Sequence, residues 1–190
     1  MTSRGRWIVG IVAGVALIAA AGTAFVTLRA DSRQPEKSAE YVRLGNAALA
    51  KNDVAGAREL FTKAIKFDKK NKDAHYDLGY IFQVYEAKPA EAEAEYRLAI
   101  DIDPGFAKAL YSLAIVRATA MDREEAISLY RRVIQVDPTF AEAHFNLGLL
   151  LRDAGQRAAG DAEIAKGIEL KPSLGEKFAP TTTTRPPRKR

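Results

Sequence analysis

Apolar residues recur along this chain at three- and four-residue intervals, and the whole arrangement repeats over residues 38–172. One set of anchors is Tyr41, His75, Leu110 and His144; a second is Leu44, Leu78, Leu113 and Leu147. Successive members stand 34, 35 and 34 residues apart. A small residue follows each leucine, at Gly45, Gly79, Ala114 and Gly148. Ala57, Ala92, Ala126 and Gly160 come later, each four residues ahead of Phe61, Tyr96, Tyr130 or Ile164. Intervals of three and four describe one packed face of a helix. A fixed period of this length predicts helix pairs stacked into a solenoid, a fold that usually presents a surface for holding another molecule. A large side chain beside a small one, followed by Ala and a bulky residue, predicts that the second helix of each pair approaches the small residue and fills the space over it.

Boundary signals predict where the helices stop. Asp122 with Glu125, and Thr139 with Glu142, read as N-caps with a carboxylate three residues on. Pro89 suits the first turn of a helix. The Asp-Pro pairs at 103–104 and 137–138 end one unit and open the next, because the residue before proline leaves the helical region. The single 35-residue spacing carries an extra residue between Gly79 and Ala92, predicted at residues 85–89 as a longer inter-helix turn. The expected organisation is a basic N-terminus (1–6), an apolar span (7–28) and a linker (29–37). Four units follow (38–71, 72–106, 107–140, 141–172), and then a short cap and a Thr/Pro/basic tail (173–190).

These motifs resemble the tetratricopeptide repeat family, and the resemblance covers residues 38–172. It implies an all-α, right-handed helical-repeat solenoid of four helix-turn-helix units with a concave groove that binds a protein or peptide. It also implies that the first helix of each unit lines the groove. The inward residues are then Tyr76 and Tyr80, Tyr111 and Ile115, and Phe145 and Leu149, with Val42 and Asn46 in the first unit; each pair stands four residues apart. Aromatic anchors with polar tips suit recognition of an extended or proline-containing peptide, although they also suit packing between units. One family subtype grips a carboxylate with Lys, Asn and Arg side chains. Asn46 and Lys108 fit that pattern, but Val42, Asp77 and Ser112 depart from it, and Asp77 would repel a carboxylate. Lys69 stands where the family favours proline. Gly160, Ile164 and Gly167 stand where Ala, an aromatic and Ala are usual. The last second helix is therefore expected to be the least stable, since each Ala-to-Gly exchange costs about 1 kcal/mol of helix propensity.

Charge narrows the function. The formal net charge is +5, yet residues 38–172 carry 19 basic and 21 acidic groups, so the basic excess sits at the two ends. That distribution argues against nucleic acid as the partner of the repeats. The absence of cysteine excludes disulfides, thiol catalysis and zinc-thiolate sites. The two histidines, His75 and His144, share one repeat slot and are expected to be core packing residues with one hydrogen bond each. Glu91, Glu93 and Glu95 alternate along one helix and are expected to be solvated. No phosphate loop, metalloprotease motif or nucleophile elbow is present, so neither an enzyme nor a cofactor is expected.

Residues 7–28 form a 22-residue run without charge, which as a helix reaches about 33 Å, enough to cross a bilayer core of about 30 Å. The flanking basic residues resemble a bacterial signal-anchor, with the repeats outside the cytoplasm; the opposite orientation and a cleaved signal are the alternatives. Gly10 and Gly14 form a Gly-x-x-x-Gly that allows a weak homodimer through the span. The expected function is a non-enzymatic, single-pass membrane-tethered adaptor that binds a protein or peptide in its groove. The alternatives are a cleaved secreted protein whose basic tail binds cell-envelope polymer, and an accessory subunit of a membrane enzyme complex.

Overall fold

The computed structural model describes residues 34–176. The expected membrane span at 7–28, its Gly10 and Gly14, and the end of the basic tail lie outside the described residues. Among those described, no helix is long and apolar enough to cross a membrane. They form α1 (Gln34–Ala50), α2 (Val54–Phe67), α3 (Lys72–Tyr80), a π-helical turn (Ile81–Tyr85), α4 (Pro89–Ile102), α5 (Ala107–Thr119), α6 (Arg123–Val136), α7 (Ala141–Asp153), α8 (Arg157–Leu170) and the short α9 (Ser173–Glu176). No strand occurs among them. The chain divides after Ala74 into two compact units.

In the first unit α1 packs on α2. A Cβ placed on Gly45 would lie 2.5 Å from Phe61 Cε1, so the small residue after Leu44 is where the Phe61 ring sits. Tyr41 stacks on Phe67 at 5.3 Å between ring centroids. Ser38 Oγ, fully buried, donates to the Ala64 carbonyl at 2.8 Å and accepts from Asn71 Nδ2 at 2.8 Å. The described part of α1, Gln34–Ala50, takes in residues of the expected linker.

The second unit contains the rest of α3, the π turn and α4 to α9. Helices α5 and α6, and α7 and α8, pair closely; α4 lies on α5, α6 on α7, and α9 on α8. Leu113 and Leu147 are 1% and 2% exposed, as their repeat register predicts. The Tyr96 ring covers Gly79, where an added Cβ would stand 2.8 Å from Cε1.

The extra residue of the 35-residue spacing does not lie in the inter-helix turn. Asn52, Ala87, Met121 and Gly155 all take positive φ, and each precedes its Ala or Gly partner at 57, 92, 126 or 160 by five residues. The turns are therefore equal in length from that point on. The added residue is absorbed upstream, where the helix widens into the π turn: Glu86 N donates to the Ile81 carbonyl and Lys88 N to the Phe82 carbonyl. A second difference concerns Thr139. It is not an N-cap; its backbone N–H and hydroxyl both donate to Asp137 Oδ1, and the residue flanking α7 is Phe140. Asp122 does cap α6, accepting from Glu125 N at 3.2 Å.

Two of the three alternating glutamates are structural rather than solvated. Glu95 Oε2 lies 2.6 Å from His75 Nδ1, and Glu163 Oε2 makes the same contact with His144, so both buried histidines pair with the second helix of their unit. His144 Nε2 also meets the Pro138 carbonyl at 3.1 Å. Glu93 joins a network across α4, α5 and α6: Arg97 and Arg117 both bind it, Arg117 also pairs with Asp122, and Arg117 Nε stands 2.7 Å from Glu125 Oε2 at ion-pair distance without hydrogen-bond alignment.

The Arg117 guanidinium holds the Asp122 carboxyl below its usual range. Burial opposes ionisation of Glu93, but its bonds to Arg97 and Arg117 prevail and lower it too. Carboxyls lowered in the folded state bind fewer protons there than in the unfolded chain. Their contribution is present above the unfolded value near pH 4 and is lost as pH falls through the folded one. The melting temperature is expected to drop on acidification through that window, and to drop less in Arg117→Met. Equal acid slopes in the two proteins would remove the network from the account.

Candidate functional site

The residues expected to face a groove separate into three groups in the second unit. Tyr76 and Tyr111 are half-buried in equivalent aromatic clusters. Tyr76 lies 5.8 Å from Tyr96 and 5.4 Å from Phe106; Tyr111 lies 5.8 Å from Tyr130 and 4.8 Å from Phe140, between ring centroids. Burial raises the hydroxyl pKa of all four tyrosines. Phe145 is 3% exposed and therefore offers almost nothing to a ligand. It is covered because Gly167 of α8 has no side chain: a Cβ there would meet Phe145 N at 2.9 Å. Tyr80, Ile115, Leu149 and Lys108 remain at least partly accessible. Asn46 is exposed on α1 of the first unit.

Ile115 and Leu149 come together. They line an open cavity of about 320 Å³ with Thr119, Tyr130, Asn146 and Leu150. A second cavity, of about 360 Å³, is walled by Gln83 of the π turn, Pro89, Val116, Thr119 and Ala120. Thr119 borders both, and no wall residue of either is charged. Asn146 is the residue the sequence reading passed over. Its Nδ2 donates to the Tyr111 hydroxyl at 3.1 Å and to the Tyr130 hydroxyl at 3.4 Å. It occupies the slot of Ser112 and Asp77 one and two units earlier, and that register was the available signal. Among the described residues no three His, Cys, Asp or Glu side chains converge as a metal site.

Family models for tetratricopeptide repeats match residues 42–107, 122–155 and 141–174. The chain carries tetratricopeptide repeats. A curated relative, the type IV pilus assembly protein PilF of Pseudomonas aeruginosa, is 32% identical over 83 residues, a match covering 44% of this chain and 32% of that protein. The match thus spans about a third of that relative's length. The solved PilF structure superposes with a TM-score of 0.65 at 27% identity, covering 73% of this chain and 63% of that one. A crystal structure of MamA gives a TM-score of 0.64 at 24% identity over 79% of this chain and 85% of its own. The first repeat domain of Spaghetti (RPAP3), bound to the HSP90 peptide SRMEEVD, gives 0.60 at 22% identity over 64% and 95% of the two chains. The last two likenesses establish the fold, an all-helical repeat solenoid, and the expectation of stacked helix pairs holds.

Proposed function

We propose that the repeats bind an extended segment of another protein on the face formed by the first helices of the pairs, without catalysing a reaction on it. The observation that carries this reading is the pair of uncharged cavities meeting at Thr119, one of them walled by Ile115 and Leu149. The repeat fold is compatible with it, since the similar Spaghetti (RPAP3) domain is bound to an HSP90 peptide and PilF is an assembly protein. Lys108 at the start of α5 and Asn46 on α1 are further groove candidates. The apolar run at 7–28 adds a tether, and the reading becomes a membrane-held adaptor, single-pass, with its repeats outside the cytoplasm.

The test compares two tyrosines of different standing. Tyr80 is 37% exposed and makes one edge contact, with Tyr85 at 6.0 Å. Tyr80→Ala should sharply reduce partner recovery from mild detergent while leaving the melting temperature near the parent value. Tyr111 sits in an aromatic cluster, so Tyr111→Ala should cost about 1–3 kcal/mol of stability. Unchanged recovery with Tyr80→Ala would move the binding site elsewhere.

A further inference from the structure

The second repeat differs from its neighbours by one inserted residue, and the insertion falls in the wall of a cavity. One residue adds about 100° of helical rotation. Here the helix absorbs it as the π turn Ile81–Tyr85, an irregularity that recurs at functional sites. The turn leaves Tyr80, Val84 and Tyr85 37%, 53% and 44% exposed, a cluster with no counterpart in the third unit, whose corresponding stretch ends in Ala118, Thr119 and Ala120. It also supplies Gln83 to the cavity shared with Val116 and Thr119.

The polar groups in the two walls are matched to one kind of visitor. The Tyr96 hydroxyl donates to Gln83 Oε1 at 2.7 Å, which fixes the amide and leaves Nε2 as a donor with no partner among the described residues. Asn146 is the converse: its Nδ2 is held by the two tyrosine hydroxyls, and Oδ1 is an acceptor with no partner among the described residues. Gln83 thus borders one cavity with an N–H to spare and Asn146 the next with a C=O to spare, in walls without charge. A peptide backbone carries the complementary C=O and N–H. A charged side chain entering either cavity would lose water without gaining an opposite charge.

Resting on the proposed groove, the geometry points to an extended peptide segment with two uncharged aliphatic side chains as the occupant of these adjoining cavities, selected by the π turn of the second repeat. Gln83 and Asn146 bind its backbone, Thr119 lies between its two side chains, and Val84 and Tyr85 form the rim that the other repeats lack.

The probe is a phage-displayed random dodecapeptide library, selected on the full chain in detergent and counter-screened on three variants. Val84→Ser with Tyr85→Ser changes only exposed side chains. Thr119→Arg puts a charge where the two cavities meet. Deletion of Val84 restores the 34-residue spacing of the other repeats. Enriched peptides should share two aliphatic residues in an uncharged stretch. Their binding should fall by roughly tenfold or more in the double serine variant and in Thr119→Arg, with circular dichroism and melting temperature near the parent. The deletion variant, if folded, should behave the same way. Peptides selected for charged residues, or retained equally by the double serine variant, would overturn the assignment of the π turn while leaving a groove in place. Enrichment of no peptide would overturn both the inference and the groove.

Discussion

Leu147→Ala should destabilise the protein by about 2–5 kcal/mol, the range for deleting a large buried aliphatic side chain where the surroundings collapse only partly. Leu147 is 2% exposed and belongs to the core of the second unit with Leu113, Val133 and Tyr130. Repeat arrays are stabilised by their neighbours in sequence, so the damage should appear first in α7 and α8. Hydrogen exchange should show amides of residues 141–170 losing protection before those of residues 34–67. Thermal unfolding indistinguishable from the parent would mean that the register of the fourth repeat is misassigned.

Gly160→Ala should also destabilise, which is the opposite of what helix propensity gives. On propensity alone, alanine in place of a helical glycine is favourable by about 1 kcal/mol. Here a Cβ on Gly160 would lie 2.6 Å from the Gly148 carbonyl oxygen, and one on Gly148 would lie 2.6 Å from the Gly160 carbonyl and 2.8 Å from Ile164 N. These are backbone atoms, which cannot swing aside as a side chain does. Helices α7 and α8 would have to separate, at an overpacking cost of about 1–3 kcal/mol. The glycines that lower the intrinsic helicity of α8 are the ones that let it touch α7. A rise in melting temperature for Gly160→Ala would show that the two helices are not in backbone contact.

These two cases mark what was legible in the sequence. The alternation of Leu44 with Gly45, and the later Phe61, encodes a helix pair closed by a ring over a glycine, and the register alone places Leu113 and Leu147 inside. The same register could have singled out Asn146, which shares its slot with Asp77 and Ser112. Other features depend on relations that spacing does not carry. A 35-residue interval shows that a residue is extra but not whether a turn lengthens or a helix widens. The pairing of His75 with Glu95 depends on how a neighbouring helix is rotated. The burial of Phe145 follows from the missing side chain at Gly167, in a different helix. Tyr76 and Tyr111 read equally well as ligand anchors or as packing, and the contacts with Phe106 and Phe140 beside them were not legible in the spacing.

The central claim is that a protein segment lies along the first-helix face of the second unit. Photo-crosslinking by a benzoylphenylalanine introduced singly at Tyr80, Leu149 or Arg131 in the full chain, in its native cells, tests it most directly. Arg131 is exposed on α6, a second helix, and serves as the reference. The account predicts one shared crosslinked partner at Tyr80 and Leu149 and none at Arg131; the same partner at Arg131 alone would contradict it.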